Sequence, residues 1–137
     1  ILANEFMRRV LDQETGNAAF AKYNEIARKA WDILMTAGKL HDNTRVYILA
    51  HTQTDEMGHV KAKTIGKLLD EKITMEGLLT IVMRTAVINQ SYVFSTQNNG
   101  LDTVKTPMGM FEAEHIPNDL AVVDAAICDF YQLNQPA

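Results

Sequence analysis

"YILAHTQTDEMGHVKAKTIGKLLDE", Tyr47 to Glu71, changes character twice. It opens apolar and β-branched, turns polar at His51, passes Gly58, and then takes on helical spacing. With Val46 included, the run "VYILA" shows no polar alternation. A continuous apolar run fits a strand covered on both faces, as in a parallel sheet. Arg45 to Ala50 is therefore expected to be a buried strand, with His51, Thr52 and Gln53 at its carboxyl end. Ligands of open α/β sheets bind at such strand ends.

Working outward, Ala18 to Ala37 places Phe20, Tyr23, Ala27, Ala30, Trp31 and Leu34 at three-to-four spacing, which predicts a long amphipathic helix. Gly38 suits its C-cap, and "LHDN" a turn. A helix, a turn and a buried strand make one α/β unit. On the other side, Thr64 to Lys72 predicts a short helix, and "TMEGLLT" fits no single element. Leu79 to Val87 and Ser91 to Gln97 predict two strands joined as a hairpin around "INQ", although Asn89-Gln90 is not a favoured two-residue turn. Pro117 and Asn118 are expected to open a last helix with Leu120, Val123, Ile127 and Phe130 inward. Asn4 to Gln13 is a further helix candidate, broken by Gly16 and Asn17.

At 137 residues, 47% of them hydrophobic, the chain is long enough for one domain with a sizeable core. The net charge of -4 argues against a uniformly basic nucleic-acid binder but leaves room for a local basic segment. The single cysteine, Cys128, excludes an internal disulfide and suits a reducing compartment. No apolar run approaches the roughly 20 residues of a membrane span. The first residues, "ILANEFMRRV", lack an initiator methionine and read as the continuation of a longer chain.

The candidate site residues follow from this layout. His51 can donate to an anionic oxygen or respond to charge. Gln53 can orient a water or a phosphate. The plainer alternative is that both satisfy a strand terminus. From Thr54 to Lys63, a loop holds His59, Lys61 and Lys63, which could touch phosphates or form an ordinary solvated loop. No pair of histidines has zinc-ligand spacing, and Cys128 reads as core, so no metal site is expected from this chain alone. Arg84 lies within a strand and reads as a structural ion-pair partner. The phosphate-cradling pattern G-x-x-x-x-G-K-[ST] is absent. "TIGKLL" contains Gly66-Lys67, but Lys61 stands in place of the first glycine and Leu68 in place of the hydroxyl.

Taken together, "ILANEFMRRV", "VYILAHTQTDEMGHVKAKTIGKLLDEKIT", "TQNNGLDTVKTPMGMF" and "IPNDL" resemble phage-encoded RecA-like P-loop ATPases. That group is associated with single-strand annealing and recombination and is often labelled as phage nucleotide-binding or AAA-domain proteins. The resemblance covers nearly the whole chain. It implies an α/β fold: the carboxyl-terminal part of a RecA-like core, a mostly parallel sheet flanked by helices, with a β-hairpin. Residues 1–137 would then be a single domain lacking the P-loop segment, which belongs upstream in such proteins. The resemblance also implies ATP and Mg²⁺ as cofactors once that segment is present, and single-stranded DNA as partner. It further implies a homo-oligomer, contacts with phage recombination or replication proteins, and the cytoplasm of a bacterial host.

By the same resemblance His51, with Gln53, would sense the γ-phosphate. Residues 54–63 occupy the position of a DNA-contacting loop, with His59, Lys61 and Lys63 as the contacts. Lys105, in "DTVKTPMG", stands where RecA-like proteins reach the nucleotide of a neighbouring subunit. The alternative is a non-catalytic α/β interaction module that has lost the nucleotide site, with Lys105 a solvated loop lysine.

Overall fold

The computed structural model describes residues 17–41, 43–63 and 74–133. The helix candidates at 4–13 and 64–72 lie outside the described residues. The chain divides into two compact units, Ile1–Thr52 with Ala62–Leu78, and Gln53–Lys61 with Leu79–Ala137. Helices are combined with antiparallel sheets, one of two strands and one of three.

In the first unit, helix α1 spans Asn17–Ala37, one residue longer than its spacing predicts. Its buried stripe is Ile26, Ala27, Ala30 and Leu34, on one helical face. Trp31, counted with that face in the sequence, is exposed instead. Lys39 and Leu40 donate back to the carbonyls of Thr36 and Ala37 and close the last turn. Gly38 is not among the left-handed glycines, so it is not the C-cap its position suggests. The expected turn at "LHDN" is present: Thr44 N–H donates to the His41 carbonyl at 2.8 Å.

The expected buried strand at Arg45–Ala50 does not form. These residues adopt no strand, and Val46, Tyr47, Ile48 and Leu49 are all exposed, Leu49 at 87%. Apolar composition reports what a segment can bury, whereas a strand needs a hydrogen-bonding neighbour at the right register. A parallel neighbour requires a crossover of a dozen or more residues. The strands that do pair in the described sheets are antiparallel, Arg84–Ile88 with Ser91–Ser95 through a tight turn and Ser91–Ser95 with His115–Pro117 over a longer connection. The expectation of a mostly parallel sheet is corrected accordingly. The parallel contact seen among the described residues is a single bridge, Val60 with Asp102.

The strands begin just after that run. β1 (Thr52–Thr54) pairs with β2 (Val60–Ala62). The segment expected as a loop over 54–63 keeps its turn at 55–59 and contributes Thr54 and Val60–Ala62 to a two-stranded ribbon. A 3₁₀ turn at Met75–Leu78 follows, within "TMEGLLT", and Glu76 Oε1 accepts from the Ala62 N–H at 2.6 Å.

In the second unit, β3 (Arg84–Ile88) and β4 (Ser91–Ser95) form the expected hairpin around "INQ". Asn89 and Gln90 both take positive φ, 49° and 65°, which is the geometry of a type I′ turn. Both strands are shorter than expected. Before Arg84, Val82 is held by a single antiparallel bridge to Lys105. β5 (His115–Pro117) adds to the far side of β4, with Phe94 opposite Ile116. Pro117 therefore belongs to a strand rather than to a helix start.

Helix α2 runs from Leu120 to Phe130 behind an Asp119 cap, whose carboxylate accepts from the Ala121 N–H at 2.8 Å. Val123 and Cys128 are buried, as their places in the helix suggest, but Leu120 and Phe130 are exposed. The helix closes with Gln132 left-handed, Gln132 N–H donating to Asp129 and Leu133 N–H to Cys128. That bond pair is a Schellman motif.

Candidate functional site

A segment of the second unit dense in side-chain hydrogen bonds runs from Thr96 to Thr106, and Lys105 is exposed on it. Its Asn and Asp side chains replace a regular ladder with local bonds of the Asx type. Asn98 Nδ2 donates to the Asp102 and Val104 carbonyls, while Asn98 Oδ1 accepts from the Gly100 N–H. Asn99 Oδ1 accepts from Leu101 N–H, and Asp102 Oδ1 from Val104 N–H. Gly100 sits at φ 85°, a conformation that a Cβ would strain.

Two buried polar side chains tie this segment to the sheet. Asp102, its side chain 3% exposed, pairs through Oδ2 with Arg84 Nη1 at 3.4 Å. Thr96, 1% exposed, donates its hydroxyl toward the Ala113 and Glu114 carbonyls. Its own carbonyl accepts from the Thr106 hydroxyl at 3.0 Å. Arg84 is thus the structural ion-pair partner expected from its place in a strand. Asp102 was not singled out from the sequence, although an acid two residues after Asn-Gly signals an Asx-rich turn.

Lys105 is fixed at its backbone and exposed at its side chain. Its N–H donates to the Val82 carbonyl at 2.9 Å and its carbonyl accepts from Val82 N–H at 2.8 Å. Val104 beside it is buried, and Thr106 is bonded as described. The result is a cation displayed from a held strand-like segment rather than from a free loop.

The other candidates sit elsewhere. His51 is exposed and precedes β1, its carbonyl accepting from Lys63 N–H at 2.6 Å. It belongs to the first unit, whereas Lys105 belongs to the second. Gln53 is the half-buried middle residue of β1. Neither His51 nor Gln53 follows a buried strand, because Arg45–Ala50 forms none. Lys61 is the exposed middle residue of β2, and His59 and Lys63, two residues to either side, are exposed as well.

The turn joining β1 to β2 is organised by Asp55. Its Oδ1 accepts from the Met57 and His59 N–H groups at 2.9 and 2.8 Å, and its Oδ2 lies 3.0 Å from His59 Nδ1. The His59 backbone N–H, first of all, holds the Asp55 carboxyl below its ordinary range. Desolvation opposes this, and the His59 ring and the Met57 N–H add to the lowering. Gly58, at φ 86°, completes the turn.

Among the described residues no group of histidine, cysteine, aspartate and glutamate side chains could hold a metal ion. No described helix is long and apolar enough to cross a membrane. Compared with protein families, with curated proteins and with solved structures, the chain matches none.

Proposed function

We propose that this chain is the distal part of a RecA-like, phage-encoded ATPase core. It would act on single-stranded DNA in recombination or annealing, as a homo-oligomer in the cytoplasm of a bacterial host. The observation that carries the reading is the display of Lys105: an exposed ammonium on a backbone paired with Val82 and set beside buried Val104. A cation held at the γ-phosphate offsets charge that develops in the transition state, and preorganisation is what gives it leverage. The exposed apolar run Val46–Leu49, followed by Ala50 and then His51, fits the same reading. There it would enter the sheet of the larger ATPase core.

The residues on hand do not fit ATP and Mg²⁺ by themselves. The sequence has no phosphate cradle, and the described side chains form no cluster for the ion. In this reading His51, with Gln53, faces the nucleotide of its own subunit, and Lys105 reaches that of a neighbouring subunit, each nucleotide being held by other groups. His59, Lys61 and Lys63 contribute to DNA. If no cradle belongs to the same protein, the second reading holds, a non-catalytic interaction module on the same scaffold.

DNA-stimulated ATP hydrolysis separates the two. Lys105→Ala is expected to lower turnover by about 10³–10⁵, as loss of a phosphate-directed cation does elsewhere, with a smaller loss for His51→Ala. Full activity in both variants overturns the assigned roles. Absence of any ATP binding by the protein leaves the interaction module.

A further inference from the structure

The three-stranded sheet has two edges, and they are finished differently. At one edge lies β5, three residues long and ending in Pro117, which lacks a donor. Short strands and prolines are common guards against unwanted strand pairing. At the other edge lies β3, "RTAVI", with no proline, no lysine and no bulge against β4. Its one charge, Arg84, is engaged by Asp102.

The backbone direction of β3 follows from the hairpin. A two-residue I′ turn closes on a hydrogen-bonded pair, here Ile88 with Ser91. On β4 the even-numbered groups face away from β3: Tyr92 C=O accepts from Asn118 N–H, and Thr96 N–H donates to Glu114 C=O. Arg84, Ala86 and Ile88 therefore bond to β4. The N–H and C=O groups of Thr85 and Val87 point outward from the sheet. The side chains beside this edge are apolar and open: Val87 is 61% exposed and its cross-strand neighbour Tyr92 is 72% exposed.

We propose that β3 is an interaction edge for a second copy of this chain, paired antiparallel about a two-fold axis at Ala86. In that register Thr85 of each copy faces Val87 of the other as a hydrogen-bonded pair. All the outward N–H and C=O groups of Thr85 and Val87 are then satisfied reciprocally. The facing side chains are β-branched, a favourable cross-strand combination. Ala86 meets its own counterpart, small enough for the close approach of a non-hydrogen-bonded pair. No charge opposes its like, because Arg84 falls opposite Ile88. β3 is compatible with its own reverse at every facing position, which is what pairing with a second copy about a two-fold axis requires. The inference does not depend on the nucleotide reading.

The register gives a sharp test. Ala86→Cys places two thiols on Cα atoms about 4.5 Å apart, within the ~4.4–6.8 Å range that a disulfide spans. Mild oxidation is expected to yield a covalent dimer, with buried Cys128 not competing. Val87→Pro removes an outward donor and leaves the β4 ladder intact. It is expected to raise the dimer Kd at least about tenfold in sedimentation equilibrium and to abolish the Ala86→Cys cross-link. Far-ultraviolet circular dichroism should remain unchanged. Thr85→Lys, which keeps every backbone group, is expected to weaken the dimer as well. A protein that is monomeric at all concentrations, or a cross-link that survives Val87→Pro, overturns the proposal. So does a monomer that pairs β3 only with a different protein.

Discussion

Two apolar segments of similar β-forming composition end differently in this molecule. "RVYILA" at 45–50 lies exposed outside any strand, while "RTAVINQSYVFS" at 84–95 folds back on itself as β3 and β4. Hydrophobicity does not separate them, since the first is the more apolar. What separates them is the distance to a partner. The second carries its own turn, so pairing requires closing only a two-residue loop. Loop-closure entropy and register are settled together there. The first needs a neighbour from a distant part of a chain, and its composition says nothing of where that neighbour lies.

The comparison breaks first at the hairpin's anchor. Asp102→Ala leaves the Arg84 guanidinium and the Val104 N–H without their carboxylate in a largely buried setting. Removing one member of such a pair costs more than the pair itself contributes. Because Arg84 is one-third exposed, the loss is set below that of a fully buried pair, at about 2 kcal/mol, in urea unfolding followed by circular dichroism. An unchanged midpoint would show that the hairpin stands without its anchor.

A smaller effect of opposite sign is expected at the turn. Gln90 holds φ 65° with a side chain that disfavours it, whereas glycine meets no such penalty. Gln90→Gly creates the Asn-Gly pair favoured in I′ turns. It should stabilise by about 0.5–1 kcal/mol, read as a rise in thermal midpoint. A fall would mean that the chain does not hold this turn in solution.

The other hairpin turn offers a local, pH-dependent contrast. Asp55 accepts from the backbone of Met57 and His59, and its carboxyl is held below the ordinary 3.8. A lowered folded-state value means that the stabilising bonds are present above the ordinary carboxylate range. They are lost only as pH falls through the lowered value. The amide signals of Met57 and His59 should therefore titrate together below pH 3.8 in nuclear magnetic resonance. Asp55→Asn should remove that titration while leaving the β3–β4 amides unmoved. Titration at or above the ordinary value would show that the turn bonds are not formed in solution.

What the sequence made legible follows the same division. Helix α1 showed in its three-to-four spacing, the β3–β4 hairpin in its local turn, and the Arg84 ion pair in a charge placed within a strand. Each is a short-range pattern. The start of α2 was misplaced because Pro117-Asn118 looks like a helix opening, while the long-range pairing of β5 with β4 claims Pro117 and moves the cap to Asp119. The anchoring role of Asp102 is not legible locally, because its partner lies eighteen residues earlier and its burial depends on folding. The display of Lys105 is likewise set by Val82, across a bridge that no local motif announces.

The exposed run supplies the smallest expected change and so the finest measurement. Leu49 stands 87% exposed, so Leu49→Ser removes almost no buried surface. Substitutions at such positions usually fall within about ±0.5 kcal/mol, and the unfolding midpoint of this chain should hardly move. The reading of Val46–Ala50 as a strand of a larger ATPase sheet makes a separate demand. There Leu49 would be covered, and the same substitution would lower ATP hydrolysis together with the stability of that assembly. Burying a leucine side chain contributes roughly 1.5–3 kcal/mol, well above the change expected for an exposed one. A Leu49→Ser variant that is neutral in both settings leaves the run uncovered everywhere, and what separates the two segments is then permanent rather than a matter of a missing neighbour.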